Sequence, residues 1–116
     1  VRAVSITPDG KQAISASDDN TLKIWDLETG NKRLSLFGHR GKVRAVSITP
    51  DGKQAISASD DNTLKIWDLE TVKILASFTG ESGILSCAIT PDRKTIVAGE
   101  QSGRVHFLRW ERPASV

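Results

Sequence analysis

Residues 43–71 read VRAVSITPDGKQAISASDDNTLKIWDLET, and residues 1–29 carry the same 29 letters without a change, 42 positions earlier. A period of that length is the signature of an architecture built from stacked units. Identity this complete points to recent duplication or deliberate design, because drift would have scattered substitutions. A third, diverged copy starts at Ile84 and keeps Ile89-Thr90-Pro91-Asp92, now at an offset of 41. The lost residue lies after the second Glu-Thr, where Gly30-Asn31-Lys32 has become Val72-Lys73.

Alternation and turn residues divide the middle copy into strands. The first runs from about Val43 to Thr49, with Val46 and Ile48 on one face. Pro50-Asp51-Gly52 supplies a tight turn, since proline presets φ and glycine accepts the left-handed position. Ala55 to Ser59 form a second strand, Asp60-Asp61-Asn62 the next turn, and Thr63 to Trp67 a third strand with alternating Leu64 and Ile66. After Asp68-Leu69-Glu70-Thr71 a fourth strand is expected from about Lys73 to Phe78. No segment carries a helical period. The expectation is an all-β chain of four-stranded antiparallel units at 1–42, 43–83 and 84–116, the third lacking its outer strand.

Composition narrows the class of protein. The 116 residues suit one domain, and 38% hydrophobic with 26% charged residues is ordinary for a soluble globular chain. Sixteen basic and 14 acidic residues are interleaved to a net +2, so no basic tail announces a nucleic acid or a membrane. No stretch approaches the roughly 18 apolar residues of a bilayer span, and no signal-peptide pattern opens the chain. A single cysteine, Cys87, excludes an internal disulfide and a cysteine-based zinc site. It suits a reducing compartment, so the expected location is cytoplasmic. Methionine is absent even at position 1, which leads us to expect a chain cut from a longer product.

Gly38-His39, Val43, Ile48, Pro50-Asp51-Gly52, Ser57, Asp61, Thr63 and Trp67-Asp68 together resemble the WD-repeat β-propeller family, over essentially the whole chain. The resemblance implies propeller blades of four antiparallel strands. It also implies a buried hydrogen-bond network of His39, Ser57, Asp61 and Trp67. Such a network is chemically self-consistent: a carboxylate accepts from an imidazole N–H, the imidazole from a hydroxyl, and the hydroxyl from an indole N–H.

The copies keep this set unequally. The first has Ser15, Asp19 and Trp25, while its histidine would precede Val1. The third has Gly80, Ala98, Ser102 and Leu108 at the four positions, with Arg109 in place of the aspartate after the tryptophan. Arg93 replaces the turn glycine, where a left-handed side chain costs about 1–2 kcal/mol. After Trp110 the chain reads Glu111-Arg112-Pro113-Ala114-Ser115-Val116, too short and polar for a fourth strand, so the third unit is expected to be the carboxyl-terminal edge of a propeller.

Several sharper chemistries compete with this reading. Ser57, His39 and Asp61 are the residue types of a nucleophilic triad. Against a serine hydrolase, Ser57 is predicted mid-strand, with neither a strained elbow nor oxyanion donors. Asp18-Asp19-Asn20 and Asp60-Asp61-Asn62 lack the ligand spacing of a calcium loop and read as hairpin turns. No metal or cofactor is expected. His106, at the position of Lys65, is expected to point outward; Cys87, at the position of Val46, is expected to be an inert core thiol. Lys32-Arg33, Arg40, Lys42 and Arg44 offer a weak nucleic-acid reading without aromatic interleaving, and a solvated rim is favoured.

The expected function is a non-catalytic scaffold for a protein or peptide partner. The resemblance places candidate partner-binding residues at Arg40, Lys42, Arg44 and Asp60, with Arg2 and Asp18 in the first copy. Arginine and aspartate there can read a charged peptide through bidentate contacts. Propellers typically close with about 4–8 blades, so three leave flanks exposing side chains such as Val4, Ile6, Ile89 and Val97. Either this is the last part of a longer chain whose other blades finish the ring, or copies of the isolated chain are expected to close as a homo-oligomer, a six-bladed dimer before a nine-bladed trimer.

Overall fold

The repeated alternation of apolar and polar residues, cut by Pro-Asp-Gly and Asp-Asp-Asn turns, resolves into strands in a computed structural model that describes residues 1–92 and 94–109. The strands are β1 (Ala3–Ile6), β2 (Gln12–Ala16), β3 (Leu22–Asp26), β4 (Lys32–Leu36), β5 (Val43–Ile48), β6 (Gln54–Ser59), β7 (Thr63–Asp68), β8 (Lys73–Thr79), β9 (Ile84–Ile89), β10 (Thr95–Glu100) and β11 (Val105–Arg109). Among the described residues there is no helix. All neighbours pair antiparallel in sequence order, giving sheets β1-β2-β3-β4 and β5-β6-β7-β8 and a three-stranded sheet β9-β10-β11. Arg93 and Trp110 to Val116, and the expectations placed on them, lie outside the described residues.

Turn chemistry sets the registers. Thr49 Oγ1 donates to Asp51 Oδ1 at 2.5 Å and Lys53 N to the same oxygen at 3.0 Å, closing the β5–β6 hairpin with Gly52 at φ 73°. At the β6–β7 turn Asn62 takes φ 72°, a conformation asparagine tolerates better than most residues. Gly30 sits at φ 75° between β3 and β4, and Val72 must occupy the corresponding slot at φ 60°. A β-branched residue there carries strain. The single-residue deletion thus left a left-handed position without its glycine.

The sheets stack face to face. Val46 and Ile48 pack against a core of Ile14, Ala16, Leu22, Ile24 and Leu36, joined by Val43, Ala55 and Trp67. A second core joins Ile56, Ala58, Leu64 and Ile66 to Ile84, Ile96 and Ala98. The middle sheet therefore presents one face to the unit before it and the other to the unit after. On the leading face Val4 and Ile6 are 62% and 59% exposed. On the trailing face the expectation needs correcting. Ile89 packs into the second core and Val97 is half-buried, because strand alternation turns Ile89 back toward the middle sheet. Val105 and Phe107 are the exposed pair there.

Candidate functional site

The loop from Gly38 to Lys42 crosses the end of the β6–β7 hairpin and carries His39 inward. Gly38 has no space for a side chain, since a Cβ would lie 2.9 Å from Ile74 Cδ1 and from the Trp67 ring. That close approach swings the next residue into the sheet. His39 Nδ1 lies 3.0 Å from Asp61 Oδ2 and Nε2 lies 2.6 Å from Ser57 Oγ. Trp67 Nε1 donates to the same hydroxyl at 2.8 Å. The Asp61 carboxylate also accepts from Arg40 N at 2.9 Å and from Thr63 N and Oγ1 at 2.9 and 2.5 Å.

Burial decides the protonation states. Desolvation lowers His39 below its ordinary 6.5 and outweighs the opposing pull of Asp61, so the ring is neutral at neutral pH. Desolvation pushes the Asp61 carboxyl upward, yet hydrogen bonds from Thr63, Arg40 and His39 prevail and hold it at about 2. The chain of contacts has the connectivity of a nucleophilic triad, but Ser57 is 0% exposed and its hydroxyl is engaged by an indole. Nothing the size of a substrate reaches it.

The first unit repeats part of this. Trp25 Nε1 donates to Ser15 Oγ at 2.9 Å, and Asp19 accepts from Thr21 N and Oγ1 at 3.0 and 2.6 Å. Lys23 Nζ bonds Asp19 at 2.6 Å, chiefly setting that carboxyl below its usual range. In the middle unit the equivalent Lys65 reaches Ser77 Oγ instead.

The third unit contains a substitute that the sequence reading missed. Glu100, at the position of Ser59, is buried and accepts from Glu81 N, Ser82 N and Ser82 Oγ at 3.0, 2.8 and 2.9 Å. Its other oxygen pairs with His106 Nε2. The first of these contacts stands in for Arg40 N on Asp61. His106 turns inward rather than outward, a second correction: it lies edge-on to Phe78, ring centroids 4.9 Å apart, because Glu100 supplies a partner that Lys65 lacks. The pairing with His106, followed by the Ser82 and Glu81 contacts, holds the Glu100 carboxyl at about 2 against the opposing effect of burial. A Cβ at Gly80 would meet that carboxyl at 2.9 Å, so the carboxylate fills the space a histidine side chain would need. The available signal was a glutamate and a histidine placed on adjacent expected strands of the one diverged copy.

The rim residues form a cluster at the boundary of the first two units. Arg2 Nε bonds Asp18 Oδ1 at 2.6 Å, and Arg44 grips Asp60 with two contacts of 2.8 Å. These arginines, with Lys42 contributing at longer range, lower both carboxyls. Arg40 is exposed and gives its backbone N–H to Asp61. In the third unit the Arg44 and Asp60 positions hold Leu85 and Gln101, so the charged rim ends there. Burial raises the Cys87 thiol to about 12, and its Sγ lies 3.6 Å from Ile56 O, an unreactive setting. Among the described residues no group of three or more His, Cys, Asp or Glu is placed to hold a metal.

With repeated four-stranded sheets stacked face to face and an aspartate–histidine–serine–tryptophan chain inside the middle one, comparison with known proteins is decisive. The profile of the TEP-1 C-terminal β-propeller matches residues 39–110, and that of the WD domain, G-beta repeat, matches residues 1–26. The chain belongs to the WD-repeat β-propeller family. It is 44% identical over 43 residues to a Lissencephaly-1 homolog of Monosiga brevicollis, covering 37% of this chain and 10% of that protein. It is 53% identical over 30 residues to a ribosome biogenesis protein BOP1 homolog of Drosophila melanogaster, covering 26% of this chain and 4% of that protein. The chain thus spans a tenth or less of these relatives. WD-repeat proteins generally bind protein partners. No helix among the described residues is long and apolar enough to cross a membrane.

Proposed function

We propose that this WD-repeat chain is a non-catalytic scaffold that binds a protein or peptide partner through its charged rim. The observation that carries the reading is the enclosure of Ser57, fully buried and held by both His39 and Trp67, which leaves the polar quartet a structural role. The same set, Ser15, Asp19 and Trp25 included, reinforces the sheet rather than meeting ligand. Arg2, Asp18, Lys42, Arg44 and Asp60, with Arg40 beside them, are the recognition surface. Alternate cations and carboxylates there favour a charged peptide. A fluorophosphonate probe tests the first half: absence of labelling at Ser57 is expected, and labelling would overturn it in favour of a serine hydrolase. Lys42→Glu and Arg44→Glu test the second, since loss of partner binding with retained folding is expected. Steep loss of affinity for nucleic acid with salt would instead support a nucleic-acid role.

Assembly completes the reading. Val4, Ile6, Ala13 and Trp25 reproduce residue for residue the leading face that Val46, Ile48, Ala55 and Trp67 seat on the first sheet. In the isolated chain that face docks head to tail on the trailing face of a second copy, against Val105 and Phe107, as a closed dimer. Light scattering is expected to return twice the mass of one chain, and a stable folded monomer would refute it. The single thiol of Cys87 supports a reducing, cytoplasmic setting.

A further inference from the structure

Two strands carry an extra residue where they reach the rim. In β5 Val43 pairs with Ser59 and Ala45 with Ala58, which leaves Arg44 outside the ladder. In β9 Ile84 pairs with Glu100 and Ser86 with Gly99, which leaves Leu85 at the same place. A bulge of this kind re-aims its extra side chain out of the regular alternation. From that position Arg44 grips Asp60 with two contacts. Leu85, set in the same kind of bulge, is 41% exposed.

Backbone hydrogen bonds fix the correspondence between the units. Asp60 N donates to Lys42 O at 2.9 Å, and Gln101 N donates to Gly83 O at 2.8 Å. Gln101 therefore holds the place of Asp60, and Gly83 that of Lys42. Glu81, which stands in for Arg40, lies 3.5 Å from the Arg104 guanidinium. The rim thus changes character within one unit. Around the first two units four cations, Arg2, Arg40, Lys42 and Arg44, stand with two carboxylates, Asp18 and Asp60. The third unit offers a leucine, an amide and a balanced pair. Gly83 lies between the two parts: a Cβ there would be 3.4 Å from Asp60 Oδ1 and 3.7 Å from Gln101 Oε1. Having no side chain, it leaves the passage from the Arg44–Asp60 pair to the third unit open.

We propose that Leu85 sets the specificity of the rim, selecting a partner peptide that carries an acidic residue and, a few positions away, an aliphatic one. This rests on the scaffold reading and names the chemistry of its partner. Arg2 and Arg44 are engaged by Asp18 and Asp60, so the excess positive charge sits on Arg40 and Lys42 and meets the acidic residue. The aliphatic residue crosses Gly83 and covers Leu85. The first contact is electrostatic and screened by salt. The second draws on apolar area removed from water, which salt does not screen. An arginine at this bulge, as in the middle unit, would ask for a second carboxylate instead.

The test titrates labelled Gly-Asp-Asp-Ser-Leu-Gly and Gly-Asp-Asp-Ser-Ser-Gly onto the full chain by anisotropy. The reversed orders, Gly-Leu-Ser-Asp-Asp-Gly and Gly-Ser-Ser-Asp-Asp-Gly, cover both directions of binding. In one direction the leucine peptide is expected to bind roughly fivefold tighter than its serine counterpart, the scale of covering a partly exposed aliphatic side chain. Raising salt from about 50 to about 300 mM is expected to weaken both peptides and leave their ratio unchanged. Leu85→Ser and Leu85→Arg should each bring the ratio to one, while Lys42→Glu weakens all four peptides. A ratio of one in both directions on the unaltered chain, or a ratio that survives both Leu85 variants, would overturn the proposal. Acidic binding that is still lost in Lys42→Glu would then leave the rim reading standing. Failure of all four peptides to bind would sink both.

Discussion

The first and middle units share 29 residues letter for letter, and yet their side chains lead different lives. Trp67 is 2% exposed and wedged between two sheets, while Trp25 is only half-buried. Asp61 bonds an imidazole and a loop N–H, while Asp19 bonds a lysine. Arg44 grips Asp60 with two nitrogens, whereas the Arg2 contact runs through Nε. The middle unit has a neighbour on both faces and a described loop, Gly38 to Lys42, laid across its end. Local sequence builds the same hairpins twice; the neighbour decides which polar groups are sealed from water and therefore what they are worth.

That contrast can be broken most directly at the tryptophans. Trp67→Ala is expected to cost about 3–5 kcal/mol in urea unfolding, through a cavity between two sheets and a Ser57 hydroxyl that keeps His39 but loses its indole donor. Trp25→Ala is expected to cost about 1–2 kcal/mol, since less area leaves water there. Equal losses would mean that the two units are energetically equivalent despite their surroundings. Next in size, Asp61→Ala leaves the His39 and Arg40 donors short of their acceptor, at about 1–3 kcal/mol for each group left unsatisfied. Asp19→Ala is expected to have the smaller effect on the same unfolding curve, because its lysine partner regains water.

Acidification should separate the units by pH. His39 has a folded-state value below its ordinary 6.5, so the unfolded chain takes up the proton first. Its contribution is complete above that value and is lost as pH falls below it. Asp61, held at about 2 against an ordinary 3.8, adds a second loss as pH falls through 3.8 toward 2. Unfolding midpoints measured from pH 8 to 4 should show the first step, and His39→Gln should flatten it. The smallest effect sharpens the comparison at the one place where the repeats lose register. Val72→Gly restores the residue type of Gly30 at a left-handed position and is expected to stabilise the chain by about 1 kcal/mol, read as a raised midpoint.

Much of this architecture was legible before any coordinates. The strand limits inferred for the middle copy agree with β5 to β8 to within a residue or so, because alternation and turn residues act locally. His39, Ser57, Asp61 and Trp67 could be singled out together since their types and spacing match the family pattern. The third unit was harder. Its four quartet positions read Gly80, Ala98, Ser102 and Leu108, which suggests a polar network simply lost. Glu100 and His106 occupy positions that the pattern assigns to a serine and a lysine, so no template pointed to them. Ile89 was misplaced because a strand's two faces differ only by which neighbour each one meets.

By itself the sequence determined the period, the antiparallel hairpins, the left-handed turns and the family, all consequences of residues near one another along the chain. Tertiary structure alone decided that Lys23 would reach Asp19 while Lys65 reaches Ser77, and that Glu100 would take over loop anchoring with His106 at its side. It also decided that Val4 and Phe107 would stand in water while Val46 is covered. The reason is that a hydrogen bond or an apolar contact gains its value from desolvation, and desolvation is set by whichever sheet is packed alongside.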